Sequence, residues 1–151
     1  MYKIGIDLST TNTGIVVLDS ENRLIEKRTI QFRTFSESNY KYNFELIRTT
    51  CSELSCLCVE GACVGIELSN FRNAQLTNRF SLYAGAFISN LISSTNIKEI
   101  KLFNCNQWQG YVGIKVGYDT REQTKMKSRL FAKEHWSQTK KNKEISKRIK
   151  K

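Results

Sequence analysis

The helical stretch between the third and fourth strand-like segments constrains this chain most. Residues 24–32, LIEKRTIQF, alternate apolar and polar side chains, the pattern of a half-buried strand. Residues 62–68, ACVGIEL, are apolar almost throughout, as in a strand buried on both faces. Between them lies YKYNFELIRTTCSELSCLCVE (40–60), with Phe44, Ile47, Cys51, Leu54 and Cys58 at helical spacing. Antiparallel neighbours need only a tight turn. A strand reached through a long helix is a parallel crossover. The sheet must therefore be mixed.

The flanking segments complete the pattern. YKIGIDL (2–8) and TGIVVLD (13–19) read as strands that form a meander with residues 24–32, through the turn SENR (20–23). AQLTNRFSLYAGAFISNLISS (74–94) is an amphipathic helix with Leu76, Phe80, Tyr83, Phe87 and Leu91 on one stripe. EIKLFNC (99–105) is a fifth strand and VGIKVGY (112–118) a glycine-punctuated link. Two overlapping capping boxes, Asp119–Glu122 and Thr120–Gln123, open a last helix over 119–136. The expected fold class is α/β, a five-stranded mixed sheet flanked by helices. A chain of 151 residues with 40% hydrophobic content suits one core. Residues 1–138 are expected to form that domain, and 139–151 a basic tail or the start of a final helix.

Charge is distributed unevenly. Residues 121–151 hold 12 of the 24 Lys and Arg but only 3 of the 14 Asp and Glu, which places +9 of the +10 net charge there. A block of this kind favours a polyanion, above all nucleic acid, and also suits a solvated tail. No apolar run reaches the length of a membrane span, and no secretion signal opens the chain, so a cytoplasmic location is expected. Five cysteines without such a signal argue for reduced thiols. Their spacings are not those of a paired zinc site, and burial as small apolar side chains explains them better.

Two acids stand where burial makes a carboxylate costly. Asp7 lies in KIGIDLS and Glu67 in VGIELS, near copies of each other, each near the C-terminal end of an interior strand. A single acid there is an ordinary cap or ion pair. Two in matched settings on neighbouring strands repel unless a divalent cation holds them.

The motif GIDLSTTNTG, with Asp7, Thr13 and Gly14, resembles the opening of RuvC-like Holliday junction resolvases of the RNase H superfamily. VGIELSN resembles that family's fourth strand with its catalytic Glu. The long helix with Ala84, Gly85 and Ala86, the segment LFNCNQWQGYVG and the basic helix TREQTKMKSRLFAKE follow in the family's order, the last in the manner of its bacteriophage branch. The match runs over residues 2–135. It implies an RNase H-like fold and a homodimeric, Mg²⁺-dependent endonuclease (Mn²⁺ substituting) that cleaves four-way and other branched DNA in the cytoplasm of a bacterial host. It implies that Asp7 and Glu67 bind metal and that Lys125, with Lys127 as competitor, contacts the scissile phosphate. Phe71, Arg72, Lys125, Lys127, Arg129, Lys140 and Lys141 are the expected DNA contacts, and Leu76, Phe80 and Tyr83 the expected dimer interface. Internal core is the competing role for that stripe. Phe71 either wedges into the crossover or staples the following helix.

The chain departs from the family in lacking the two further acids one turn apart on a C-terminal helix. Either Glu144 serves, or that helix lies beyond Lys151. Two other functions remain open at this point. One is a non-catalytic branched-DNA-binding module of the same fold. The other is a fragment of an actin-like ATPase, whose phosphate turn GIDLSTTNTG also resembles.

Overall fold

The computed structural model describes residues 1–68, 73–94, 96–111, 119–120, 122–131 and 134. The chain forms two compact units, Met1–Asn104 and Cys105–Lys151. The first carries β1 (Tyr2–Asp7), β2 (Asn12–Leu18), β3 (Leu24–Gln31), α1 (Glu37–Leu57), β4 (Ala62–Leu68), α2 (Ala74–Ser94) and β5 (Ile97–Asn104). The strands form one sheet in the order β3-β2-β1-β4-β5. β1 and β3 run antiparallel to β2, while β4 is parallel to both β1 and β5. This is the mixed sheet expected from the helical crossovers.

Strand alternation decides which face carries the core. Ile4, Ile6 and Leu8 of the first strand segment, Ile15 and Val17 of β2, and Val64 and Ile66 of β4 are buried on one side. α1 and α2 cover that side and pack on each other. Ile47, Cys51 and Leu54 of α1 and Phe80, Tyr83, Phe87 and Leu91 of α2 join the same cluster. The other side keeps the odd-numbered residues of β1 and β4, including Asp7 and Glu67, half-buried or exposed.

Two polar devices fix the connections. Asn43, fully buried in α1, donates from Nδ2 to Tyr83 Oη (2.7 Å) and to the Arg33 carbonyl (3.1 Å). Its Oδ1 accepts from the Arg33 amide (3.0 Å). One side chain thereby ties α1, α2 and the segment after β3. Asn73 caps α2, its Oδ1 accepting from the amides of Gln75 (2.8 Å) and Leu76 (3.3 Å). Gly61 takes φ +94° in the turn from α1 into β4, where a Cβ would also press on the Asn96 carbonyl at 3.1 Å.

The second unit contains α3 (Cys105–Tyr111) and a helix over 122–131. The fifth strand therefore ends one residue before Cys105, and the chain turns into a short helix that strand periodicity does not announce. The capping box at Thr120–Gln123 is formed, with Thr120 N donating to Gln123 Oε1 (2.8 Å) and Gln123 N to Thr120 Oγ1 (3.3 Å). Asp119 also receives Lys127 Nζ at 2.6 Å, an ion pair across two turns. The glycine-punctuated link at 112–118 and the expected boundary at residue 138 lie outside the described residues.

Candidate metal centre

The β1–β4 ladder runs in register from Tyr2↔Ala62 to Asp7↔Glu67. The two near-copy segments are thus laid side by side, acid against acid, at the C-terminal ends of two central parallel strands. Partnered residues in a ladder project from the same face, with strands about 4.8 Å apart. Both carboxylates point away from the helix-packed core. Gly14, the β2 partner of Asp7, keeps the surface low beside it, since a Cβ there would sit 3.8 Å from Asp7 Cβ. Gly65, on the same face of β4, instead makes room for the Phe103 ring, whose Cε2 lies only 3.1 Å from a would-be Cβ.

The turn after Asp7 is held by its own threonines. Thr13 is fully buried. Its Oγ1 accepts from the Ser9 amide and donates to the Ser9 carbonyl, both at 3.2 Å. Ser9 Oγ accepts from the Thr11 amide (3.3 Å). The segment STTNTG is a self-stapled turn that fixes where β1 ends and how Asp7 is presented.

Desolvation raises the Asp7 carboxyl above the usual carboxylate range, even though the residue reaches solvent. A cation supplied between Asp7 and Glu67 would offset both that penalty and their mutual repulsion. Two hard oxygen donors side by side fit Mg²⁺, which keeps several waters and binds proteins through one or two carboxylates. Among the described residues no third His, Cys, Asp or Glu joins the pair. Glu144, the expected further acid, lies outside the described residues.

The other expected site residues fall into three groups. Lys125 and Arg129 are exposed on the 122–131 helix and line one groove of about 270 Å³ with Glu122, Met126 and Leu130, while Lys127 is held by Asp119. Phe71, Arg72, Lys140 and Lys141 lie outside the described residues. In the stripe expected to pair subunits, Phe80 is 4% exposed and Tyr83 fully buried, against 36% for Leu76. Phe80 and Tyr83 are core residues of the protomer, the Tyr83 ring packing at a 46° tilt on Phe32 with 4.5 Å between centroids. The outer face of α2 is instead carried by Leu82 and Ile92.

Phe103 is the residue at this site that sequence reasoning missed. It is the β5 partner of Glu67, on the same face and partly exposed. Counting alternation back from the end of IKEIKLFN would have found it. Cys51 and Cys58 are core residues, and burial pushes the Cys51 thiol up to about 12.

No known family model matches the chain. An uncharacterized protein of Ureaplasma parvum serovar 3 is 41% identical over 112 residues, which is 72% of this chain. The chain spans about half the length of that curated relative (49%). Two solved structures share the fold. One is Thermus thermophilus RuvC in complex with a Holliday junction substrate, with TM-score 0.62 and 17% identity over 85% of this chain and 76% of that one. The other is Thermus thermophilus RuvC, with TM-score 0.63 and 18% identity over 82% and 75%. The fold is RuvC-like. At these identities the likeness establishes the architecture, and the chemistry has to be argued from the site. Among the described residues no helix is long and apolar enough to cross a membrane.

Proposed function

We propose that this chain is the core of a divalent-metal-dependent endonuclease that cleaves four-way junctions and other branched DNA. The observation that carries the reading is the Asp7↔Glu67 register on the open face of a RuvC-like sheet. Phosphodiester hydrolysis needs a positioned nucleophilic water and neutralisation of charge that builds on the phosphate oxygens. A bound Mg²⁺ would supply that Lewis acidity and lower the pKa of its water. Asp7 and Glu67 would hold and orient the ion, and the low surface at Gly14 admits a backbone phosphate beside Asp7. Phe103 stands next to Glu67 as a stacking surface for a displaced base.

The remaining assignments belong to the same reading. Lys125 and Arg129 contact phosphates, and Lys140 and Lys141 in the basic block add sequence-independent affinity. Phe71 and Arg72 engage the crossover, and Glu144 adds to the ligand set. Two copies act together, paired through the outer face of α2, in a bacterial cytoplasm and in the manner of phage resolvases.

A junction-nicking assay with the full chain tests this. Mg²⁺ should support cleavage, and Asp7→Asn and Glu67→Gln should each abolish it while junction binding stays intact or tightens. Wild-type cleavage by either variant would remove the acids from the mechanism. One observation favours a second reading, a branched-DNA-binding module without cleavage: no third acid joins the pair among the described residues. Tight junction binding without nicking in Mg²⁺ or Mn²⁺ would select it.

A further inference from the structure

A groove of about 320 Å³ opens at the end of the sheet where β1 terminates, on the side of α2. It wraps the end of the sheet, where Asn12 and its β3 partner Gln31 line it from the face that carries Asp7 and the remaining walls lie toward α2. Its walls come from the β1–β2 turn (Thr10, Thr11, Asn12), the segment after β3 (Arg33, Thr34) and the first turns of α2 (Arg79). No carboxylate lines it among the described residues.

Both guanidiniums are set in place by aromatic rings. Arg33 Cζ lies 3.7 Å from the centroid of Tyr42, and Arg79 Cζ lies 4.7 Å from that of Phe35. Neither forms an ion pair with a carboxylate among the described residues, unlike Arg23, Arg28 and Arg48 elsewhere in the unit. A guanidinium stacked on a ring keeps its in-plane N–H edges for an anion and has little rotamer freedom left to lose.

The walls are equally fixed. The Phe32 amide donates to the Thr11 carbonyl at 2.8 Å, joining the segment after β3 to the β1–β2 turn. Thr13 staples that turn from below, and Asn43 grips the Arg33 backbone on both its amide and its carbonyl. The groove is therefore preorganised, which lowers the ordering penalty of binding.

Two fixed positive charges, three threonines and an asparagine, with no acid, select phosphate oxygens. Hydroxyl, amide and guanidinium donors are the groups that hold a nucleic-acid backbone without reading its bases. We propose that this groove is a second phosphate-binding site, which grips the sugar–phosphate backbone of a DNA arm through residues other than the acid pair. The proposal rests on the branched-DNA reading above. It adds to that reading a positioning surface built from residues of the first unit alone.

The test is the salt dependence of junction and duplex binding by the full chain. Replacing both arginines, Arg33→Gln with Arg79→Gln, should flatten the slope of log affinity against log salt by about 1.8, at about 0.9 for each lost phosphate contact. Lysine at both positions should keep most of the slope. Lys41→Gln, on an exposed position of α1 outside the groove, should leave the slope as it was.

Thr34→Glu leaves both stacked arginines in place and adds a negative charge to the rim, so it should weaken binding even if the double variant folds poorly. If Thr34→Glu binds like wild type, or a folded double variant keeps the full slope while wild type nicks junctions, the groove is overturned and the nuclease reading survives. A wild-type chain without salt-dependent DNA binding overturns both. Saturable ATP binding that the double variant loses would make the groove a nucleotide site and overturn the proposal.

Discussion

Asn43→Ala is the most informative perturbation of the scaffold, because one buried side chain holds three elements. It removes a donor to Tyr83 Oη at 2.7 Å, a donor to the Arg33 carbonyl at 3.1 Å and an acceptor for the Arg33 amide at 3.0 Å. Leaving a buried partner unsatisfied costs about 1–3 kcal/mol. Tyr83 is fully buried and stands at the upper part of that range. Arg33 lies at the surface, so water can reach part of its backbone and its two groups stand at the lower end. The expected loss is about 3–5 kcal/mol, a large share of the 5–15 kcal/mol typical of a folded domain. For a chain of this size the melting temperature should fall by about 10 °C. Tyr83→Phe removes only the shared bond and should lose about 1–2 kcal/mol. The double variant should lose less than the sum, since one hydrogen bond is removed by both changes. Urea denaturation of the four proteins measures the cycle. A single-variant loss below about 1 kcal/mol for Asn43→Ala, or full additivity in the cycle, would show that the tie is not what holds the segment after β3 against the helices.

The remaining predictions concern the acids, the tail, the helix and the thiols. Asp7 has a folded pKa above its unfolded value, so its ionisation opposes folding, and the penalty grows as pH rises through the folded pKa. In metal-free buffer at neutral pH, Asp7→Asn should therefore melt at or above wild type, with the difference vanishing in acid; a lower melting point at neutral pH would contradict the desolvation. Truncation after residue 138 should weaken DNA binding regardless of sequence and flatten the salt slope by about 0.9 per lost contact, and an unchanged slope would make the tail a bystander. Phe80→Asp should unfold the protein, because it places an unpaired charge in the core, whereas Leu82→Asp with Ile92→Asp should stay folded and elute as a monomer in sizing chromatography. A dimer surviving those outer-face changes would move the interface off α2. Iodoacetamide at pH 8, read by mass spectrometry, should label exposed Cys56 and spare Cys51, whose thiol burial raises to about 12. Equal labelling of the two in native protein would refute the burial.

Much of the architecture could be read from local pattern, and the reasons are specific. Period-two alternation in 24–32, the apolar run at 62–68 and the helical spacing between them each report one buried face, and together they impose a parallel β1–β4 pair. The near-identity of KIGIDLS and VGIELS even anticipated the acid pairing, because equal strand lengths in a parallel ladder bring equal positions opposite each other. The α2 stripe misled for a physical reason. Apolar spacing tells which face of a helix is buried, not whether the protomer's own core or a second subunit buries it, and Phe80 and Tyr83 are buried within the protomer, Tyr83 against Phe32, Phe35 and Phe44. Asn43 was invisible to pattern, since a lone asparagine in a helix normally points to water. Its role depends on Tyr83, forty positions away, and that pairing exists only after folding.

The sequence GIDLSTTNTG is conspicuous for Asp7, but most of its residues work on the turn rather than on the acid. Thr13 and Ser9 lock the turn, Gly14 clears the surface beside the carboxylate, and Thr10, Thr11 and Asn12 face a groove lined with arginines. One rigid turn thus sets a carboxylate at the end of β1 and neutral donors in the groove next to it. The arrangement answers a requirement that a metal-bearing acid pair creates. An acid pair without its cation repels a phosphate backbone, so the DNA must be gripped elsewhere, at a fixed distance, before the reacting phosphate is drawn in. On this account, the Arg33 and Arg79 substitutions should lower junction affinity in EDTA at least as much as in Mg²⁺, because the groove acts without the metal. Asp7→Asn should change affinity in the opposite direction in EDTA, by removing a repelling charge. If the arginine variants weakened binding only when Mg²⁺ was present, the groove would not be an independent grip and this division of labour would be wrong.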